Sequence, residues 1–182
     1  FLNEIISNSI ALTPAQILNQ LREKFTKELN SVQGTSDGMD ITLIRMDYKP
    51  EMETREILWA GAYNPLWLIK KGPESSSSVK NIIEIKGDKQ PIGRGVIEND
   101  FTDHGMSLSK GDLLYLFSDG FQDQFGGVKD KKYSFRRLLE LFEANINLPL
   151  EEQGRIIENE FEKWIGDNQQ TDDVTILSVT RE

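Results

Sequence analysis

A short apolar segment that ends abruptly at an acidic residue is the clearest structural signal in the chain. Residues 113–118 are mostly aliphatic or aromatic, with Gly111 before them and Asp119 and Gly120 directly after them. A run of this length bounded by glycines predicts a buried central strand. Because an unpaired carboxylate is costly to bury, we expect Asp119 to lie at the edge of the sheet, where Gly120 lets the chain turn away.

Other short runs rich in β-branched and aromatic residues predict further strands. The predicted strands cover residues 39–48, 55–61, 66–69, 81–86 and 174–179. The first four follow one another with only turns or loops between them. This succession is typical of an antiparallel sheet and differs from the alternation of strands and helices in a parallel one.

Apolar residues at helical spacing predict two pairs of helices. The predicted helices cover residues 1–11, 14–30, 134–144 and 150–165. Thr13, Pro14 and Gln16 have the order of a capping box with proline at the first helical position. Gly166 is placed to end the last helix.

Composition limits the classes of function. The chain has 182 residues, 37% of them hydrophobic, which is enough for one domain with a substantial core. It has no cysteine, which excludes disulfides, thiolate metal sites and cysteine nucleophiles. His104 is its single histidine, which excludes a histidine-rich zinc site. The net charge of -9 argues against nucleic acid as the main partner. No apolar run approaches the roughly 18 residues of a membrane span, and the lack of cysteine fits a cytoplasmic location.

Aspartates stand where two of the predicted strands would meet. Asp119 follows one strand, and Asp172 and Asp173 precede the last one. If these strands are antiparallel neighbours, the end of one and the beginning of the other share an edge, and adjacent strands lie only about 4.8 Å apart. Asp40 also precedes a strand, so the same reasoning can place it nearby.

A cluster of carboxylates needs positive charge. The aspartates would raise one another's pKa values, and no lysine or arginine stands beside them in the sequence. Mg²⁺ or Mn²⁺, which prefer oxygen ligands, would relieve the repulsion. Each motif alone is more often a plain turn or a strand breaker, and that interpretation stays open for each. Their matched positions at a strand end and a strand start favour a metal site.

Several motifs resemble those of one family. Ser118-Asp119-Gly120 after the apolar strand, with Thr171-Asp172-Asp173-Val174-Thr175 near the end, is similar to the metal-dependent protein serine/threonine phosphatases. More narrowly, the chain resembles the bacterial SpoIIE-type branch of the protein phosphatase 2C superfamily. Three more segments resemble that branch in the same order: Asp37-Gly38-Met39-Asp40, residues 60–66 and residues 87–93.

The resemblance implies a fold and a site. The implied fold is α+β, a two-layer antiparallel β-sandwich flanked by helix pairs, with a binuclear Mg²⁺ or Mn²⁺ site at one end. Asp119 and Asp172 match the family's metal-ligand aspartates, Asp173 and Asp40 are secondary positions, and Gly120 belongs to the same cofactor site. A water held by the metals would attack phosphoserine or phosphothreonine directly, which needs no side-chain nucleophile. The implied partners are a phosphorylated protein substrate and an upstream sensor domain in the same chain, which could tether the domain to a membrane.

One family motif has no match. The family carries a further metal-ligand aspartate in an Asp-x-x-Gly-His-Gly motif on an early strand, and the sequence contains none. Asp103-His104-Gly105 contains similar residues but lies too far along the sequence to match the early strand. We interpret His104 as a surface or strand-edge residue. Because Phe1 already opens an amphipathic pattern, we expect residues 1–182 to be a single partial phosphatase domain, truncated at the N-terminus. Such a chain should bind Mn²⁺ weakly, lack activity and expose a sheet edge that favours a homodimer.

Two interpretations compete with the phosphatase. The first is a non-catalytic, phosphatase-like domain that binds and regulates a partner protein. The second, a calcium-binding structural domain, is weaker because the sequence has no EF-hand loop.

Overall fold

The computed structural model of the protein describes residues 1–8, 11–29, 38–46, 54–70, 82–93 and 99–181. The helices in these residues are α1 (Leu2–Asn8), α2 (Pro14–Leu29), α3 (Gly120–Asp123), α4 (Phe135–Asn145) and α5 (Leu150–Ile165). The strands are β1 (Gly38–Met39), β2 (Ile41–Met46), β3 (Thr54–Ala62), β4 (Leu66–Ile69), β5 (Ile82–Ile85), β6 (Ile92–Gly93), β7 (His104–Ser109), β8 (Leu113–Phe117), β9 (Phe125–Gly126), β10 (Lys131–Lys132) and β11 (Ile176–Thr180).

Two antiparallel sheets form the centre of the fold. One has the strand order β11-β8-β4-β5 and the other the order β2-β3-β7. Successive side chains of a strand point to opposite faces, so each sheet sends one face into a shared core. Trp59 and Leu108 of the smaller sheet pack there with Leu66, Leu114 and other residues of the larger one.

Helices cover the outer faces of both sheets. Trp67 and Tyr115 point away from the shared core and pack on α4 and α5, where the Tyr115 ring stacks on Phe142 with centroids 4.5 Å apart. On the other side, Ala60 and Ala62 of β3 belong to the cluster formed with α1 and α2. The predicted sandwich with flanking helix pairs is therefore confirmed.

The predicted capping box at the start of α2 is also confirmed. The Gln16 backbone N–H donates to Thr13 Oγ1 at 3.3 Å, and the Thr13 N–H donates to Gln16 Oε1 at 3.0 Å. The first predicted helix is present as α1 (Leu2–Asn8); residues 9–10 lie outside the described residues, and Ala11, predicted as its last residue, lies in a turn. Gly166 follows α5 as predicted, with φ at 55°.

Several short strands were not predicted from the sequence. β7 contains serine, glycine and histidine and so lacks an apolar run, while β6 falls at the end of the family-like segment 87–93, for which no strand was predicted. β9 and β10 form a hairpin of two residues a side, which depends on contacts with α5 more than on any local pattern. Residues 47–48 and 81, predicted as strand, and residue 30, predicted as helix, lie outside the described residues, as does Asp37 of the first family-like segment. No helix in the described ranges is long and apolar enough to cross a membrane.

Candidate metal site

The candidate site lies where β8 ends and β11 begins. The two strands are antiparallel neighbours, which is the condition on which the expected shared edge depends, and Phe117 is the register partner of Ile176. Beyond this pair the Ser118 N–H donates to the Thr175 carbonyl at 3.0 Å. The chain therefore leaves one strand beside the point where it enters the other, and residues 119 and 172–173 flank the same edge.

Two small residues hold these segments together. Ser118 Oγ donates to the Asp173 carbonyl at 2.9 Å and accepts from the Thr175 N–H at 3.0 Å. Gly120 packs so closely that a Cβ added there would lie 2.3 Å from the Asp173 carbonyl oxygen. Only glycine fits at this position without a shift of the backbone. The turn after Asp119 is thus fixed directly against Asp173.

The Asp119 carboxylate is not used to cap the helix that follows it. Asp119 occupies the N-cap position of α3 with helical φ and ψ and makes no side-chain capping hydrogen bond. The residue is half-buried. Its carboxylate is therefore positioned by the backbone of the strand end and keeps its oxygens for other partners.

Asp172 and Asp173 lie on an exposed segment before β11. Asp172 Oδ1 accepts a hydrogen bond from the Asp173 N–H at 2.7 Å, and the Asp172 carbonyl accepts from Gln170 Nε2 at 2.7 Å. These bonds define the local turn. The Asp173 carbonyl lies against the β8 side, where it accepts from Ser118 Oγ.

Asp40 reaches this region from the smaller sheet. It lies between β1 and β2, directly before Ile41. Partial burial, and next the negative charge of Asp119, raise the pKa of the Asp40 carboxyl above its usual range. Asp119 therefore acts on Asp40 by like-charge repulsion, although burial is the larger cause of the shift.

The oxygen ligands at this edge are of the type that a hard divalent cation binds, but too few of them lie close together to form a complete site. Its members are carboxylate and carbonyl oxygens, which are the ligands Mg²⁺ and Mn²⁺ prefer. Within the described ranges, however, no three Asp, Glu, His or Cys side chains gather closely enough to hold a metal ion. The structure places the Asp173 backbone against Gly120, and the negative charge of Asp119 acts on Asp40. It does not bring all four predicted aspartates into one ligand group.

Gln124 is a residue of this region that the sequence reasoning missed. Its side chain is fully buried, and its Nε2 donates to the Gln169 and Phe125 carbonyls at 3.0 Å each. Its Oε1 accepts from the Thr171 N–H at 3.0 Å. One buried amide thus ties the end of α3 to the residues that lead into Asp172. The sequence shows only a polar residue between Phe121 and Phe125, which does not reveal partners more than 40 positions away.

Asp103 and His104 make contacts with α2 and β3. Asp103 Oδ1 accepts from the Ala15 N–H at 2.9 Å, which satisfies a donor in the first turn of α2. His104 begins β7, at one end of the three-strand order, and its ring lies 5.2 Å from that of Trp59. This position agrees with the interpretation of His104 as a strand-edge residue.

Comparisons with known proteins point to one family. The model of the family described as stage II sporulation protein E (SpoIIE) matches residues 2–182. Among solved structures, the SiaA-PP2C domain of Pseudomonas aeruginosa is 25% identical with a TM-score of 0.80, and the match covers 100% of this chain and 66% of that one. The PP2C phosphatase domain of SpoIIE from Bacillus subtilis, solved with a fragment of its regulatory domain, is 17% identical with a TM-score of 0.62, covering 97% of this chain and 46% of that one.

A third structure contains metal. The catalytic domain of the serine threonine protein phosphatase PstP, in complex with two manganese ions, is 15% identical with a TM-score of 0.50, covering 90% of this chain and 66% of that one. A search of curated proteins finds no match.

Proposed function

Since the chain belongs to the SpoIIE family of protein phosphatase 2C-like domains, we propose that it forms part of a metal-dependent phosphatase that removes phosphate from serine or threonine of a partner protein. The observation that carries this proposal is the shared edge where β8 ends and β11 begins, which places residue 119 beside residues 172–173; partial burial, and next the negative charge of Asp119, also raise the pKa of Asp40 there. Two carboxylates from different sheets that face each other are destabilising unless a cation lies between them.

The proposed ligands are the aspartates of this edge. Asp119 and Asp172 are the main ligands, Asp173 and Asp40 are secondary, and Gly120 permits the close approach of the Asp173 backbone. When bound, Mn²⁺ or Mg²⁺ supplies positive charge for the phosphoryl oxygens and lowers the pKa of a water molecule. The chain's own residues hold the negative charge that binds the cations and fix its position. The chain has no cysteine, so no thiol could act as nucleophile.

We propose that the 182-residue chain by itself is a partial domain without activity. It spans 66% of the SiaA domain and 46% of the SpoIIE structure. Its sequence has no Asp-x-x-Gly-His-Gly motif, and the described ranges hold no group of three metal-binding side chains. A binuclear site that lacks a carboxylate loses both charge and geometry.

Hydrolysis of a phosphothreonine peptide in the presence of Mn²⁺ tests both statements. We expect turnover by a longer form of the protein that spans the full length of the related SiaA domain, and no turnover by residues 1–182 alone. Asp119→Asn should abolish turnover of the longer form. Asp123→Asn is the matched control, because Asp123 lies one helical turn later and pairs with Lys132 at 2.9 Å. Unchanged turnover of Asp119→Asn at low Mn²⁺ would refute the role given to Asp119.

The incomplete ligand group also supports a second candidate, a non-catalytic domain that binds and regulates a partner protein. A longer form that binds its partner but never releases phosphate with any divalent metal would establish this alternative. Turnover that disappears with Asp119→Asn would exclude it.

The family also suggests a context for the domain. We propose that an upstream sensor domain lies in the same polypeptide and that the phosphatase domain is cytoplasmic. A membrane-bound sensor would tether the domain to the membrane. We also propose that the chain forms a homodimer through an exposed sheet edge. Light scattering over a range of concentrations tests the dimer, and a constant monomer mass would rule it out.

A further inference from the structure

A groove whose charged side chains are mostly basic lies between the β9–β10 hairpin and helices α4 and α5. Its volume is about 1020 Å³. Its charged lining residues are Lys129, Lys131, Lys132, Arg137 and Lys163, with Glu140 and Glu160 as the acidic members. The whole chain carries a net charge of -9. This basic groove therefore carries a net positive charge, whereas the chain as a whole is negatively charged.

Aromatic rings form one side of the basic groove. The Arg137 guanidinium lies 4.5 Å from the centroid of the Trp164 ring and 6.0 Å from that of Tyr133. The two rings meet edge to face, with centroids 5.2 Å apart. The Trp164 indole N–H donates to the Gln124 carbonyl at 3.0 Å, which fixes the position of the ring. Arg137 is thus held in place by ring contacts while its residue stays exposed.

The hairpin that carries three of the lysines is packed firmly on α5. A Cβ added at Gly126 would lie 1.9 Å from the Trp164 carbonyl oxygen. Gly127 has a φ of +65°, and a Cβ there would lie 2.7 Å from the Trp164 ring. Asn168 Nδ2 also donates to Asp130 Oδ1 at 2.9 Å. Because the loop is already fixed, a ligand would not have to order it on binding, which favours affinity.

We propose that the basic groove binds an acidic segment of a partner protein. The groove is concave, has an aromatic side, and is as large as the upper end of small-molecule pockets, about 300–1,000 Å³. Acidic side chains complement its charge and steer the encounter of the two proteins. An extended polyanion such as RNA fits less well, because Glu140 and Glu160 lie in the lining and the remainder of the chain is strongly acidic.

This inference goes beyond the proposed phosphatase function and does not depend on it. None of the groove residues belongs to the candidate metal site. The groove is linked to the region of that site through Lys132, which pairs with Asp123 of α3 at 2.9 Å, and through Trp164, whose indole N–H donates to the Gln124 carbonyl at 3.0 Å. A partner held there would lie on the side of the fold that carries the end of α3.

Binding of a fluorescein-labelled oligoglutamate peptide to the 182-residue chain tests the proposal by fluorescence anisotropy. We expect saturable binding that weakens as salt rises, no comparable binding of oligoglutamine, and a shift of the Trp164 indole N–H resonance during titration. The double variant Lys129→Glu/Lys131→Glu should weaken binding at least about tenfold, because like charges then face the ligand. Both lysines are exposed, so the fold should tolerate the change.

The matched control is Lys27→Glu/Lys110→Glu, which changes the net charge equally at two exposed lysines outside the groove. It should retain the affinity of the unchanged chain within about threefold. Equal weakening of both double variants would overturn the proposal, since binding would then follow net charge alone. Absence of binding at low salt, or tighter binding of polyuridylate than of oligoglutamate, would also overturn it.

Discussion

Replacing Gln124 with leucine should weaken both the fold and metal binding. The Gln124 side chain is fully buried and makes three hydrogen bonds of 3.0 Å, to the Phe125 and Gln169 carbonyls and from the Thr171 N–H. Thr171 directly precedes Asp172. Without the amide, residues 169–171 lose these hydrogen bonds to the end of α3, and the position of Asp172 relative to Asp119 then depends on the contacts that Ser118 and Gly120 make with Asp173.

The expected loss of stability follows from these bonds. A buried hydrogen bond contributes about 0.5–1.5 kcal/mol net, so three of them amount to about 3 kcal/mol. Leucine has nearly the size of glutamine, so the cavity contribution is small. We also expect the dissociation constant for Mn²⁺ to rise about tenfold, the lower end of the effect of losing a group that orients metal ligands.

Gln153→Leu is the control for this prediction. Gln153 is also buried, and its Nε2 donates to the Leu148 carbonyl at 2.7 Å while its Oε1 accepts from the Tyr115 hydroxyl. Its loss should cost about 2 kcal/mol and leave Mn²⁺ affinity unchanged, because its hydrogen-bond partners, the Leu148 carbonyl and the Tyr115 hydroxyl, lie outside residues 169–173. Urea denaturation gives the stabilities, and titration with Mn²⁺ gives the affinities. Equal Mn²⁺ affinities in the two variants would refute the role assigned to Gln124.

Three further substitutions test the electrostatics and packing of the fold. Asp40→Asn should raise the Tm of the metal-free chain at pH 7, since the raised pKa of Asp40 means that its charged form destabilises the fold; the difference should vanish at acid pH, and a lower Tm at pH 7 would contradict the repulsion with Asp119. Gly120→Ala should cost about 1–3 kcal/mol in urea denaturation, because its Cβ would meet the Asp173 carbonyl oxygen at 2.3 Å; unchanged stability would show that the turn can move. Burial raises the pKa of Tyr115 to about 12 from 10.0, so the unfolded chain loses the phenol proton at lower pH than the folded one, and stability should fall as pH rises above 10. Urea denaturation at pH 9 and 11 should show a smaller loss of stability in Tyr115→Phe than in the unchanged chain. An identical loss would exclude Tyr115 as a cause of the pH dependence.

The sequence was most informative where structure depends on neighbouring residues. The apolar run of β8 and the letters of the capping box at Thr13 are local patterns, and the structure has both. The antiparallel pairing of β8 with β11 was a condition that the sequence alone could not establish, and the structure meets it. Because antiparallel neighbours place the end of one strand beside the start of the other, this pairing also predicted the common edge of Asp119 and Asp172.

The features that the sequence did not reveal depend on distant contacts. Gln124 and Thr171 are 47 positions apart, and nothing near either residue marks the pair. The basic groove joins a short hairpin to two helices, so its lysines look like an ordinary solvated charge run in the sequence. β7 forms because β3 provides a partner along its length, although its own residues are weakly apolar.

Mn²⁺ titration of the chain and two aspartate variants, followed by the electron paramagnetic resonance of free Mn²⁺, tests the central claim most directly. The unchanged chain should bind Mn²⁺ weakly but measurably through the aspartates at the β8–β11 edge. Asp119→Asn should weaken this binding at least about tenfold, whereas Asp123→Asn should keep it within about threefold, because Asp123 pairs with Lys132. Equal Mn²⁺ affinity in all three proteins would contradict the assignment of a metal site to Asp119.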